Sequence, residues 1–193
     1  MKNVKIKQMV AIALLIALIV VLQAIGSVIP PIGGFSISLV LIPIVLGAAM
    51  YGPGSGAILG AAFGAIVYIN CVTGADPGGA MVFQANPVLC FLVVMSKGIL
   101  AGLASGAVYK LFKGKNPYIA IICAAIICPI VNTGVFVACM LLFFVDVLSS
   151  WAGGGDLFGY ILTGLVVANF IPELLINIAL APVSQRIIHV VKK

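Results

Sequence analysis

The chain has 193 residues, of which 64% are hydrophobic and 7% are charged, and its formal net charge is +6. A soluble domain of this size with such a composition would aggregate, so the sequence predicts an integral membrane protein. The basic residues lie mostly beside the ends of apolar segments instead of forming one patch, which argues against a nucleic-acid partner.

Six apolar segments follow one another along the chain, separated by turns rich in glycine, proline or charge. At about 20 residues per crossing, they fit one transmembrane domain over residues 1–193 with no ATP-hydrolysing domain attached. The sequence therefore predicts an all-α membrane protein with six transmembrane helices. The predicted helices cover residues 8–27, 37–50, 55–70, 86–112, 118–145 and 158–182.

Small residues mark two of these helices. Ala13 and Ala17 share one face of the first helix, and glycines recur at steps of four along the third. Small residues let helices approach closely in lipid, where apolarity alone gives no force for association. For the third helix, the prediction is tight packing within the bundle.

Three segments between helices are predicted to be external, and one of them is residues 146–157, where Trp151 suits the membrane interface. Residues 28–36 contain two prolines and two glycines, which exclude a continuing helix. Residues 71–84 are too polar and too interrupted to span the membrane, and their glycines suit a mobile lid over a pocket. Candidate substrate contacts in or beside these segments are Phe35, Gln84 and Asn86.

Two charges lie inside predicted spans. Lys97 is in the fourth helix, and Glu173 is in the sixth, where it shares a face with Asn169 and Asn177. A charge at mid-bilayer costs roughly 2.5–3.5 kcal/mol, so it normally faces a partner, a cavity or a ligand. One interpretation is an ion pair that ties the two helices together, and another is that Glu173 and Asn177 contact a partner protein. A third is that Lys97 binds an anionic ligand, with the sixth-helix residues closing the site or compensating the charge.

The fifth helix contains a polar interruption at residues 129–134, where proline and glycine flank Asn132 and Thr133. Such residues free backbone groups that must be satisfied, which predicts that this segment lines a cavity. Asn132 and Thr133 are therefore candidates to hydrogen-bond amide or hydroxyl groups of a substrate.

The distribution of charge predicts the orientation. The lysines near the N-terminus, the basic turn between the fourth and fifth helices and the basic C-terminal residues all fall on one side of a six-helix arrangement. The three aspartates fall on the other side. By the positive-inside rule, both termini are predicted to be cytoplasmic.

Neither catalysis nor a metal site is predicted. The only histidine, His189, lies in the basic tail, and the acidic residues are too sparse for a carboxylate pair. Cys123 and Cys128 lack the spacing and the additional ligands of a zinc site. We expect no enzyme activity, no metal and no cofactor.

The total pattern resembles the substrate-binding S components of energy-coupling factor (ECF) vitamin transporters. The resemblance rests on six helices, both termini inside, Ala13 and Ala17, the turn at residues 52–57 into the glycine-striped third helix, and residues 132–134 in the fifth. It covers essentially the whole chain and implies a location in the prokaryotic plasma membrane.

The resemblance also implies a mode of action. Such S components bind a vitamin with high affinity under a lid of external loops. They associate with a transmembrane coupling protein and two cytosolic ATPases, and they are thought to topple in the membrane to release the substrate. Ala13 and Ala17 match the alanine motif that packs on the coupling protein.

The substrate follows less directly. Riboflavin and thiamine sites would be expected to offer several aromatic side chains, and few lie near the predicted pocket, with Phe35, Phe83 and Phe136 as candidates. A compact carboxylate with hydroxyl and amide groups suits Lys97 and Asn132 better. The prediction is pantothenate, with folate and riboflavin as alternatives.

Two other functions remain open. A stand-alone transporter would use Glu173 for proton coupling, although no internal repeat between residues 1–96 and 97–193 supports it. A structural subunit would use the small residues only for packing and would bind no ligand.

Overall fold

The computed structural model describes residues 2–28 and 39–191, which are helical apart from short turns and contain no β-strand. Five helical segments are long and apolar enough to cross a membrane, and a further apolar helix is shorter. These observations confirm the predicted all-α membrane fold. The helices are α1 (Lys2–Val28), α2 (Leu41–Tyr51), α3 (Pro53–Thr73), α4 (Pro77–Ala85), α5 (Pro87–Phe112), α6 (Pro117–Phe143), α7 (Val145–Trp151), α8 (Leu157–Tyr160) and α9 (Ile171–Val191), with a π-helical segment, Ile161–Phe170, between the last two.

Part of the prediction lies outside the described residues. This is the case for most of the external loop at residues 28–36, including Phe35, and for the first residues of the helix predicted over 37–50. That residues 1–193 form a single transmembrane domain stays a prediction.

Two of the segments predicted as external loops contain short helices. Asp76 is extended and Pro77 begins α4, because its fixed φ and missing N–H suit the first helical position. The segment that follows α6 forms α7, with Asp146 in its first turn. The segment predicted as a possible lid therefore contains most of the short helix α4.

Prolines lie inside two of the long helices. A single helix was predicted over residues 118–145, and α6 runs through Pro129 without a break. The last membrane segment likewise runs through Pro182 and ends at Val191. Prolines are tolerated in membrane helices because neighbouring helices and local widening satisfy the freed backbone groups. The π-helical segment just before Pro172 is such a widening.

The closest helix contact joins α3 and α5 through glycines. A methyl group at Gly60 would collide with the carbonyl oxygen of Gly98, and one at Gly56 would collide with that of Gly102. The two backbones are thus as close as glycine allows, which confirms the predicted tight packing of the glycine stripe. α6 packs on the other side of α5, and the last membrane helix packs on α6.

Candidate functional site

A cavity lies between α3, α5, α6 and the last membrane segment, at the end of the bundle where α4 and α7 are found. Its empty space is about 910 Å³, counted with its open mouth. The walls of the cavity combine apolar, aromatic and polar side chains.

Lys97 lies in the wall of this cavity, ten residues after α5 begins, or about 15 Å along the helix axis. Its Nζ atom is 4.9 Å from the ring centroid of Phe136 and 5.6 Å from that of Phe63. The close approach at Gly60 and Gly98 brings Phe63 and Lys97 to the same gap. Ring faces attract a desolvated ammonium by about 2 kcal/mol, which offsets part of the cost of a charge in the membrane.

Oxygen atoms on α6 and the last membrane segment form the second polar part of the cavity. The members of this acceptor cluster are Asn132, Thr133, Asn169 and Glu173. Only 6% of Asn132, 7% of Thr133 and 2% of Glu173 is exposed. The side-chain oxygens of Asn132, Thr133 and Asn169 are buried and have no hydrogen-bond partner within residues 2–28 and 39–191.

Buried acceptors without donors are costly. An unsatisfied buried polar group costs about 1–3 kcal/mol, so a ligand that brings O–H or N–H groups to the acceptor cluster recovers this energy. Within the described ranges, no group of three or more His, Cys, Asp or Glu side chains is arranged to hold a metal ion. The chemistry of the cluster is hydrogen bonding and charge.

The structure thus brings five of the residues selected from sequence into one cavity, namely Lys97 and the acceptor cluster. Gln84 is exposed on α4, and Asn86 caps α5 by accepting hydrogen bonds from the N–H groups of Val88 and Leu89. Neither residue lines the cavity. Asn177 is 2% exposed, and its side-chain amide donates to the backbone oxygen of Glu173.

Three aromatic residues line the cavity. They are Phe63, Phe136 and Trp151, of which only Phe136 was among the candidates from the sequence. The rings of Phe136 and Trp151 stack with centroids 6.5 Å apart and planes at 21°. Phe83, which was a candidate, instead packs edge-on against Tyr68.

The mouth of the cavity is covered by the segment between α3 and α5 and by α7. Asp76, Gly79 and Val82 line the cavity from the first of these. Across the mouth, the indole N–H of Trp151 donates to the sulfur of Met81 at 3.3 Å. The two covering elements are therefore joined to each other by a side-chain contact.

Several lining residues were not selected from sequence. They include Gln23 on α1, Asn70 and Cys71 near the end of α3, Asp76, and Cys90 on α5. Cys71 and Asp76 carried a signal, because they belong to the segment predicted as a lid. The others sit in apolar helices, where the sequence does not show which face turns inward.

α1 presents its small residues outward. Ala13 and Ala17 are both exposed, whereas Ile19 is completely buried in the bundle. Near the start of α1, the side-chain amide of Gln8 donates to the hydroxyl of Ser55 on α3 at 3.2 Å. The alanine face is therefore on the outside of a helix that is attached to the bundle by its other face.

Comparison with known protein families gives one match. Residues 7–184 match the family described as ECF transporter, substrate-specific component. The match extends from the first turns of α1 to near the end of α9. A comparison with curated proteins found no match.

Proposed function

Because the chain belongs to the family of substrate-specific components of ECF transporters, we propose that it binds pantothenate with high affinity for uptake. Membership makes it a multi-pass protein of the prokaryotic cell membrane and a substrate-binding subunit for vitamin-type uptake, not an enzyme. Its partners are of the kind that this family uses, a transmembrane coupling protein and cytosolic ATPases.

One observation carries the choice of substrate. The Lys97 ammonium contacts two aromatic rings in the cavity wall, which also contains the side-chain oxygens of Asn132, Thr133 and Asn169, buried and without a hydrogen-bond partner among the described residues. A ligand with a carboxylate and several O–H and N–H groups complements both features. Pantothenate has one carboxylate, two hydroxyls and one amide in a compact and flexible molecule.

The aromatic residues favour a second candidate. Phe63, Phe136 and Trp151 all line the cavity, and their rings are the usual partners of a planar heterocycle. Folate, which is anionic and contains a ring system, and riboflavin therefore remain the alternatives to pantothenate.

Glu173 favours a further alternative, a stand-alone proton-coupled transporter. This carboxyl is 2% exposed and lines the cavity within the membrane segment, as a coupling carboxylate would. The two mechanisms differ in their energy source. ATP-driven uptake needs the coupling protein and its ATPases, whereas proton-coupled uptake needs only a pH gradient.

The proposal includes an orientation and a docking face. Lys5, Lys7 and Arg186 lie near the ends of the terminal helices, and a basic turn joins α5 to α6, which supports cytoplasmic termini. The cavity then opens to the outside, under α4 and α7. The exposed Ala13 and Ala17 form the face that packs on the coupling protein, because small side chains permit close approach in lipid.

Calorimetric titration tests the proposal. The purified chain in detergent is titrated with pantothenate, folate and riboflavin, and pantothenate is expected to bind with a submicromolar Kd. Uptake into proteoliposomes is then measured with and without the coupling protein and ATPases. Uptake driven by a pH gradient alone would contradict the ECF mechanism. If folate or riboflavin binds more tightly than pantothenate, that compound is the substrate instead.

A further inference from the structure

Two polar features of the cavity bear on the substrate. Lys97 is the only basic residue that lines it among the described residues, and the side-chain oxygens of Asn132, Thr133 and Asn169 are buried there without a hydrogen-bond partner. A side-chain amide oxygen accepts hydrogen bonds and cannot donate them. The two parts of the cavity therefore suit different parts of one ligand.

Lys97 decides where an anionic group of the ligand belongs, because its ammonium is the one cationic side chain of the cavity wall within the described residues. The ammonium of Lys97 lies between Phe63 and Phe136. An anionic group of the ligand is thus directed to Lys97, and O–H and N–H groups are directed to the cluster.

The separation of the two parts sets the size of the ligand. Phe136, which contacts the Lys97 ammonium, follows Asn132 by four residues on the same face of α6. One turn of helix is about 5.4 Å, so the backbones of Asn132 and Phe136 are about that far apart along the axis of α6. A ligand that reaches both needs its donors only a few bonds from its anionic group.

We propose that the cavity selects small carboxylates that carry O–H or N–H donors within a few bonds of the carboxylate, with the carboxylate at Lys97 and the donors at Asn132, Thr133 and Asn169. This inference rests on the proposed function and adds the substrate class and the direction in which the substrate lies. Carboxylates without such donors are rejected, because they leave the buried acceptors unpaired.

The first test uses the unaltered protein and needs no variant. The chain in detergent is titrated with pantothenate, with pantothenol, in which a hydroxyl replaces the carboxylate, and with nicotinate and lipoate, which have a carboxylate but no O–H or N–H donor. We expect pantothenol to bind at least tenfold more weakly than pantothenate, and nicotinate and lipoate at least a hundredfold more weakly. Nicotinate or lipoate binding as tightly as pantothenate would overturn the inference.

The second test measures the binding of two ligands to two variants and determines which end of the ligand lies at Lys97. In Lys97→Met, the difference in affinity between pantothenate and pantothenol should disappear, because the group that binds the carboxylate is gone. In Asn132→Leu, both ligands should weaken by about the same factor, since both keep their donors. A difference that persists in Lys97→Met and disappears in Asn132→Leu would place the carboxylate at the cluster and overturn the assignment.

The same titrations separate this inference from the proposed function. Riboflavin and thiamine, which are not carboxylates, are included as further probes. If one of them binds tightly and no carboxylate binds, the chain remains a vitamin-binding subunit and the substrate class is wrong. If none of the compounds binds, the proposed function fails and the inference fails with it.

Discussion

Replacing Lys97 with methionine separates two roles that a charge in the membrane can have. Methionine keeps an unbranched chain between Phe63 and Phe136 and removes only the ammonium. If the ammonium binds a carboxylate, its removal costs a charge-assisted hydrogen bond of about 1.5–3 kcal/mol. Since about 1.4 kcal/mol corresponds to a factor of ten, pantothenate affinity should fall roughly 10- to 150-fold.

The same substitution should not destabilise the empty protein. A charge at mid-membrane costs roughly 2.5–3.5 kcal/mol, and contact with the rings returns about 2 kcal/mol, so the two effects nearly cancel. Removal of the ammonium should therefore leave Tm unchanged or slightly higher. If Lys97 instead served mainly to tie helices together, its loss would leave a buried carboxyl unpaired and lower Tm clearly.

The assay can use the protein's own fluorophore. The chain has a single tryptophan, Trp151, and this residue lines the cavity, so its emission should change when ligand binds. Lys110→Met is the matched control, because Lys110 is an exposed lysine at the other end of the same helix. The reasoning would be refuted if Lys97→Met bound pantothenate within twofold of the unaltered protein, or if it unfolded while Lys110→Met did not.

Three further predictions concern packing, docking and the lid. Gly60→Leu should destabilise the protein by about 3 kcal/mol or more, because no side chain fits against α5, whereas Gly134→Ala should be near neutral in the same thermal unfolding assay. Ala17→Trp should keep pantothenate affinity but abolish co-purification with the coupling protein. The control Leu18→Trp, at an exposed position on another face, should still co-purify. Equal loss of co-purification in both variants would contradict the docking face. Trp151→Phe keeps a ring but loses the hydrogen bond to α4, so bound radiolabelled ligand should exchange roughly two- to tenfold faster; an unchanged exchange rate would show that this contact does not hold the mouth closed.

Composition and helical length were sufficient to predict the fold class. The glycine stripe also predicted a close helix contact, because little besides close packing explains glycines at steps of four. The short helices over the cavity were missed. Rules that assign loops to proline and glycine come from water, whereas surrounding protein and lipid favour continued backbone hydrogen bonding.

The site was partly predictable for a related reason. Lys97, Asn132 and Glu173 stand out because polar side chains are rare in apolar segments, and the structure places all three in one cavity. Phe63 gave no such signal, since a phenylalanine that lines a cavity looks the same in sequence as one that faces lipid. Trp151 was assigned to a membrane interface because its segment looked like a loop, and only the helix α7 turns it over the cavity.

The most direct test of the account is the identity of the molecule that the protein carries. The chain is purified alone in detergent, the bound small molecules are released, and they are identified and quantified by mass spectrometry. We predict pantothenate in near-stoichiometric amount, and its loss from Lys97→Met purified in parallel. Recovery of no vitamin, even after incubation with a panel of vitamins, would contradict the conclusion that this cavity binds a substrate for uptake.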